Sequence, residues 1–117
     1  DETSGRMIKF LDAASGLDNK ITRGNLVHIN GVGMKIASDE EHAAVCGLWF
    51  VRSGTTTRTR ATAVATNEPR TVVALVPAGL TTSYEYYIEI VTQSRVKSSG
   101  MLKEPRTIRS DHAFGVL

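Results

Sequence analysis

Cysteine is nearly absent from this chain, because Cys46 is the single one, and this excludes a disulfide within the chain. A lone cysteine favours a reducing compartment, and we expect the cytoplasm. No apolar run approaches the roughly 20 residues that a membrane-spanning helix requires, and no signal-peptide pattern opens the sequence. The chain opens on Asp1 rather than Met, and we therefore expect a further segment upstream of it. Apolar residues nowhere keep a helical spacing over three turns, which argues against a helical fold.

The 117 residues suffice for one domain with a core of its own, and 41% hydrophobic with 22% charged residues is typical of a folded protein. The net charge of +2 is unevenly distributed, with an excess of acidic residues before position 51 and of basic residues after it. Five basic residues near the C-terminus, with Glu104 among them, could contact DNA or an acidic partner: Arg95, Lys97, Lys103, Arg106 and Arg109. The alternative is a solvated loop whose charges are spread out.

Short apolar runs recur between turn signals, and this spacing predicts an all-β, immunoglobulin-like sandwich of about seven to nine strands. The most informative segment is 80–92, in which Leu80 and a polar turn precede an alternating strand. There Tyr86 and Ile88 share one face and Tyr87 and Glu89 the other. This is the pattern of a tyrosine corner, in which the hydroxyl of Tyr86 bonds to nearby backbone at the turn between two sheets.

Residues 14–117 resemble the C-terminal immunoglobulin-like domain, of unknown function, of bacterial proteins that carry an HU/IHF-type DNA-binding domain at their N-terminus. The matching segments are ITRGNL (21–26), ING (29–31), MKIA (34–37), GLWFV (47–51), NEP (67–69), LVPA (75–78), IVTQ (90–93) and LKEPRT (102–107). The segments occur in the expected order, and the resemblance as a whole spans about nine-tenths of the chain. The chain departs from the family at Tyr84, where a glycine usually precedes the corner tyrosine.

The resemblance implies that residues 1–13 form a strand or linker that leads from a missing upstream domain, and that residues 14–117 form the immunoglobulin-like domain. It implies a non-enzymatic accessory domain of an HU-like, nucleoid-associated protein, and we expect the full-length protein to be a homodimer through its DNA-binding module. Such a domain would add contacts to DNA or to a protein, with the five basic residues as the candidates. The alternative is a module that binds carbohydrate or another surface ligand through exposed aromatic rings: Trp49, Tyr84 and Tyr87.

Residues that could carry out chemistry give no coherent site. Ser110, Asp111 and His112 are the types of a hydrolytic triad, but three neighbours in sequence point in different directions. The three histidines lie far apart without the spacing of a metal site, and we expect no metal and no cofactor. Cys46 lies in an apolar run, which predicts a buried, inert thiol. Only one of Trp49 and Phe50 can face the core, and the other can contribute to a partner surface.

Overall fold

The computed structural model describes residues 5–117, which form ten strands and no helix. The strands are β1 (Arg6–Asp12), β2 (Lys20–Ile21), β3 (Leu26–Val32), β4 (Gly47–Arg52), β5 (Arg58–Arg60), β6 (Ala63–Asn67), β7 (Thr71–Leu75), β8 (Tyr86–Ser94), β9 (Met101–Arg109) and β10 (Gly115–Val116). The predicted all-β class is confirmed. The described strands outnumber the predicted seven to nine because β2 and β10 have two residues each, too few for an alternating pattern.

Eight of these strands form two antiparallel four-stranded sheets. The order is β1-β3-β7-β6 in the first sheet and β5-β4-β8-β9 in the second. The remaining strands, β2 and β10, form a small parallel pair that joins the C-terminal segment to the beginning of the domain. The buried apolar side chains of both sheets form one core, which is the arrangement of a β-sandwich.

The first sheet includes a strand from residues 1–13, the segment that we assigned to a strand or linker. β1 pairs with β3 from Arg6↔Val32 to Asp12↔Val27, so the sheet begins well before residue 14. The two strands approach closely at Gly31, where a Cβ atom would lie 2.2 Å from the carbonyl oxygen of Arg6. The first four residues of the predicted 1–13 segment lie outside the described residues.

Side-chain alternation decides which face of β4 is buried. Leu48 and Phe50 are almost inaccessible to solvent, at 1% and 0% exposure, whereas Trp49 between them is half-buried and points outward. On the neighbouring strand β8, Ile88 and Ile90 are both 0% exposed and pack into the same core. The aromatic residue available to a partner is therefore Trp49, and Phe50 belongs to the fold.

The predicted tyrosine corner is present at the beginning of β8. The hydroxyl of Tyr86 accepts a hydrogen bond from the backbone N–H of Thr81 at 3.2 Å. Tyr86 and Leu80 are both buried, so the turn between them is attached to the core at each end. This short-range arrangement fixes the direction from which β8 enters the second sheet.

A buried glutamine holds the long turn after β3 against the second sheet. Gln93 is 0% exposed, and its side-chain oxygen accepts the backbone N–H of Asp39 at 2.7 Å. Its amide nitrogen donates to the carboxylate of Asp39 and to the carbonyl oxygens of Leu102 and Lys103. Because these polar groups satisfy one another, Gln93 can be buried at little cost. The segment 39–46 is consequently placed beside the outer face of β4.

Candidate functional site

The structure does not bring the five basic residues that were predicted to act together onto one face of the protein. Arg95 and Lys97 lie in the loop between β8 and β9, and Lys103, Arg106 and Arg109 lie on β9. The register pairs Arg106 with Thr92 and Arg109 with Glu89. Residues three apart on a regular strand point to opposite faces, so Arg106 and Arg109 cannot contact one ligand on the same side of the sheet.

The guanidinium of Arg106 is directed into the fold. Its Nε donates to the carbonyl oxygen of Ser94 at 2.7 Å, and its Nη2 donates to the carbonyl oxygen of Gly33 at 2.7 Å and to the hydroxyl of Ser94 at 2.9 Å. Burial lowers the pKa of Arg106 from its usual value. These bonds connect β9 to the end of β8 and to the turn after β3, which favours a structural role for Arg106.

A different group of basic residues converges on the outer face of the second sheet. One row across the strands is Arg60↔Trp49↔Glu89↔Arg109, and the next row pairs Arg58 with Val51 and Val51 with Tyr87. We call the outward side chains of these two rows the arginine–aromatic face: Arg58, Arg60, Trp49, Tyr87, Glu89 and Arg109. The face carries three guanidinium groups and one carboxylate, and it is therefore cationic.

Trp49 organises the β5 side of this face. The Cζ atoms of Arg58 and Arg60 lie 3.9 Å and 4.4 Å from the centroid of the Trp49 ring. The indole N–H donates to the carbonyl oxygen of Val45 at 3.1 Å, which fixes the orientation of the ring. A guanidinium over an indole contributes about 0.5–1 kcal/mol at an exposed site, so both arginines are held close to the sheet.

The donors of Arg60 are used within the protein. Its Nη1 donates to the carbonyl oxygen of Cys46 at 2.7 Å, and its Nη2 donates to that of Ala44 at 2.6 Å. Gly47 leaves room for this arrangement, because a Cβ atom there would lie 2.9 Å from Nη1 of Arg60. Arg60 thus secures the turn that ends at Cys46, and it supports the Trp49 ring from the same position.

Arg109 is held at the opposite edge of the face. Its Cζ lies 4.0 Å from the centroid of the Tyr87 ring, and its Nη1 donates to the carboxylate of Glu89 at 2.6 Å. The Arg109 side chain is 45% exposed, whereas that of Glu89 is 13% exposed. Of the five predicted basic contacts, Arg109 is the one that lies on the arginine–aromatic face, and Glu89 partly neutralises it.

All three aromatic residues predicted to contact a sugar or a partner carry a guanidinium over the ring. Trp49 and Tyr87 do so on the arginine–aromatic face, and Tyr84 does so in the turn before β8, where the Cζ of Arg52 lies 4.0 Å from the ring centroid. Tyr84 is 46% exposed. A sugar ring would have to compete with a guanidinium for one face of each ring, which disfavours the carbohydrate alternative.

Sequence reasoning missed Arg58 and Arg60 as candidate contacts. The alternation that places both on one side of a strand is visible in the sequence, as is the neighbouring outward Trp49. The missing information was the pairing of β4 with β5, which brings the arginines over the indole. A rule that seeks Arg-x-Arg on a strand next to an outward aromatic would have found them.

The residues weighed for catalysis make other contacts. The hydroxyl of Ser110 donates to the carbonyl oxygen of His112 and accepts the N–H of Ile88, so it is occupied by backbone groups. Cys46 is 4% exposed, and desolvation raises the pKa of its thiol, as expected for an inert buried cysteine. Within residues 5–117, no three His, Cys, Asp or Glu side chains are grouped to hold a metal ion. The same part of the chain has no helix long and apolar enough to span a membrane.

His42 forms a separate charged cluster next to the arginine–aromatic face. Its Nδ1 lies 2.8 Å from the carboxylate of Asp39, and its Nε2 lies 3.5 Å from Glu104 on β9 and 3.9 Å from Glu41. The hydrogen bond to Asp39 raises the pKa of His42. Hydrogen bonds from Gln93 and then from His42 lower the pKa of Asp39 to about 2. The cluster therefore connects the turn after β3 to β9 most strongly when His42 is protonated.

Comparison with known proteins gives one family and a similar solved structure. The family model described as "Domain of unknown function (DUF4469) with IG-like fold" matches residues 7–108. A crystal structure of a protein described as a "putative bacterial DNA binding protein" from Bacteroides vulgatus ATCC 8482 superimposes with a TM-score of 0.85 at 24% sequence identity. The match covers 98% of this chain and 48% of that one, so this chain spans about half the length of that protein. No curated protein matches the sequence.

Proposed function

The chain belongs to this family of immunoglobulin-like domains of unknown function, and we propose that it is a non-enzymatic accessory domain of a bacterial DNA-binding protein. In this proposal the domain adds contacts of its own to those of an HU/IHF-type module elsewhere in the same protein. The observation that carries it is the convergence of three arginines on the outer face of one sheet, where Glu89 is the single carboxylate of the two rows.

The geometry of this face suits an extended polyanion. Arginine forms bidentate hydrogen bonds with phosphate oxygens, and a guanidinium that is already stacked on an aromatic ring loses less conformational entropy when it binds. Arg58 and Arg109 are exposed and stand at the two edges of the face. A DNA backbone presents phosphates at regular intervals and is a ligand that could contact both.

The rest of the proposed assembly follows from the resemblance to HU/IHF-linked domains. The structurally similar protein is about twice as long as this chain and is described as a "putative bacterial DNA binding protein", which is consistent with a second domain. We propose that the complete protein is nucleoid-associated in the cytoplasm and dimeric through its DNA-binding module. In that setting the accessory domain would be held close to DNA, and weak contacts would suffice.

The non-enzymatic assignment is supported by the polar side chains that could take part in a reaction, because these are already bonded to other groups of the protein. The hydroxyl of Ser110 and the guanidinium of Arg60 each bond to backbone groups. Within residues 5–117, the imidazole of His42 is surrounded by carboxylates of Asp39, Glu41 and Glu104, with no nucleophile among them. A binding role requires none of these groups to react.

Titration of the 117-residue chain against fluorescently labelled duplex DNA tests the proposal. We expect weak binding at about 50 mM salt that falls steeply at about 200 mM, because phosphate contacts release condensed counterions. Fluorescence anisotropy measures the dissociation constant at each salt concentration. An absence of binding at the lower concentration would contradict direct contact with DNA, and the accessory domain would then have to act through a protein.

A further inference from the structure

We propose that the arginine–aromatic face binds the phosphodiester backbone of nucleic acid, with Arg58 as its main phosphate ligand and Glu89 as a group that limits the affinity. This inference rests on the proposed function and makes it specific. Of the five predicted basic contacts it keeps Arg109 on β9, and it adds Arg58 and Arg60 on β5, so the proposed surface spans the four strands of the second sheet. It also assigns different roles to the three arginines.

Arg58 is the arginine that is best prepared to bind an anion. Its guanidinium lies over the Trp49 ring at 3.9 Å, and no hydrogen bond or ion pair joins that guanidinium to another residue in the described part of the chain. A stacked guanidinium uses its flat face for the ring, so the N–H groups in its plane stay available for two phosphate oxygens. Arg58 is also exposed, at the edge strand of the sheet.

Arg60 acts as a positioning residue in this arrangement. Its N–H groups are bonded to the carbonyl oxygens of Cys46 and Ala44, and its Cζ lies 4.4 Å from the centroid of Trp49. It therefore holds the indole on which Arg58 rests, and its own capacity for a phosphate is reduced. Its positive charge still adds to the electrostatic potential of the face.

The opposite edge of the face provides the second contact. Arg109 on β9 and Arg58 on β5 lie in neighbouring rows and are three strand spacings apart across the sheet, which corresponds to about 14 Å in that direction at about 4.8 Å per strand. The ion pair of 2.6 Å with Glu89 reduces the attraction that Arg109 exerts on an anion. Removal of that carboxylate should leave the face with three positive charges and no negative one, and should increase its affinity for phosphate.

The composition of the face favours nucleic acid over an acidic protein. Protein interfaces usually have an apolar centre. Here the outward valines are nearly inaccessible, with Val51 at 4% and Val91 at 7% exposure. No strongly exposed large hydrophobic residue of the described chain lies at an outward position of β4, β5 or β8, although Val45 lies beside the indole of Trp49 and Ile8 lies near Arg109. Arginine with aromatic rings and little exposed aliphatic surface is typical of contacts with a phosphate backbone and with unstacked bases.

Anisotropy titrations of matched variants test this assignment, with a labelled 20-base-pair duplex, a 20-nucleotide single strand and polyglutamate as probes. We expect Arg58→Ala to weaken binding of the duplex about tenfold at low salt, and to reduce the slope of log K against log salt by about 0.9. Arg58→Lys keeps the positive charge but lacks the planar guanidinium, and it should weaken binding of the duplex less than Arg58→Ala does. Arg70→Ala removes one exposed arginine next to the first sheet and serves as the charge-matched control, with little expected effect.

Glu89→Gln gives a prediction of the opposite sign. It should strengthen binding of the duplex several-fold, and this gain should disappear when Arg109 is also replaced by alanine. Because the expected gain depends on Arg109, this variant keeps the inference testable even if an alanine variant loses stability. Unfolding in urea, measured for each variant, identifies any such loss.

The outcomes separate the inference from the proposed function. Affinity of the unaltered chain for DNA tests the function, and the ratio of variant to unaltered affinity tests the surface. The inference would be overturned if the double variant Arg58→Ala with Arg109→Ala bound DNA normally while the double variant Arg95→Ala with Lys103→Ala lost its affinity for DNA. That result would leave the proposed function standing. Tighter binding of polyglutamate than of either nucleic acid would also overturn it, because it would indicate an acidic protein. Preference for the single strand over the duplex would indicate that bases stack beside Trp49 and Tyr87.

Discussion

Arginine has two roles in this domain, and the position of its donors decides between them. Arg106 and Arg60 direct their N–H groups at backbone carbonyl oxygens, where they replace missing partners in a turn or at a strand end. Arg58 and Arg109 stack on aromatic rings and keep at least part of their guanidinium toward solvent. A count of positive charges in the sequence does not distinguish the two roles, because both require the same side chain.

The structural role of Arg106 leads to a stability prediction. Arg106→Ala removes the donors to the carbonyl oxygens of Ser94 and Gly33, and hydrogen bonds that involve a charged group contribute roughly 1.5–3 kcal/mol. We expect the free energy of unfolding to fall by about 2 kcal/mol, measured by urea denaturation. Arg95→Ala is the control, since its one described bond, to Met101, is 3.4 Å long. Equal stability of the two variants would contradict the structural role.

At the scale of single elements, the tyrosine corner can be tested by removal of one oxygen atom. Tyr86→Phe keeps the buried ring and deletes the hydroxyl that accepts the N–H of Thr81 at 3.2 Å. We expect the free energy of unfolding to fall by about 1 kcal/mol, which is the usual net contribution of one hydrogen bond. Denaturation of both proteins in urea gives the difference. The matched control is Tyr87→Phe on the outer face, for which no change beyond about 0.5 kcal/mol is expected.

The elements that could be predicted from the sequence are those with short-range causes. The strand at 86–90 alternates regularly, and its corner joins residues five apart, so both are visible in one segment. The bond from Arg106 to Gly33 joins residues 73 apart, and the bonds from Arg60 to the turn at 44–46 depend on the pairing of β4 with β5. No local pattern contains that information. For the same reason the sequence did not show that only Arg109, of the five predicted basic residues, lies on the arginine–aromatic face.

The turn at 39–46 should make the stability of the domain depend on pH. The pKa of His42 is raised in the folded protein by Asp39, with Glu41 and Glu104 also facing the ring. A raised pKa means that the stabilisation is fully present below the unfolded value of about 6.5 and is lost as the pH rises through the higher folded value. Asp39, with a pKa of about 2, remains ionised throughout that range.

We therefore expect the urea midpoint of the unaltered protein to be higher at pH 6 than at pH 8. In the variant His42→Gln this difference should be markedly smaller, since the glutamine cannot become charged. Denaturation of both proteins at the two pH values, at constant ionic strength, gives the comparison. The same pH dependence in both proteins would show that His42 does not couple the turn to β9.

At the scale of the whole molecule, the two outer faces of the sandwich differ in chemistry. On the first sheet, the register pairs His28 with Val73 and Leu26 with Leu75, so the outward side chains at its centre carry no carboxylate or guanidinium. On the second sheet, the outward side chains form the arginine–aromatic face. The three guanidinium groups and one carboxylate of this face give it a local positive charge, which the net charge of +2 of the whole sequence does not locate.

The two sheets are joined near the C-terminus by Phe114, and the stability of the whole domain should depend on it. Phe114 is 0% exposed, and its ring centroid lies 4.7 Å from that of Phe10 on β1 of the first sheet. Its backbone exchanges two hydrogen bonds with Tyr86 at the beginning of β8, in the second sheet. The side chain of Phe114 therefore packs on the first sheet, while the backbone of the same residue is hydrogen-bonded to the second sheet.

Phe114→Ala should lower the free energy of unfolding by about 3–5 kcal/mol, because it leaves a cavity where the two sheets meet. This is a large part of the roughly 5–15 kcal/mol that holds a domain of this kind together. Phe114→Leu should lose less than half as much, since most of the volume is kept. Leu117→Ala is the control for changes in the same segment, because that side chain is 44% exposed. If Phe114→Ala lowered the free energy of unfolding no more than Leu117→Ala does, the two sheets would be held together without the C-terminal segment. In that case β10 would contribute little to the stability of the domain.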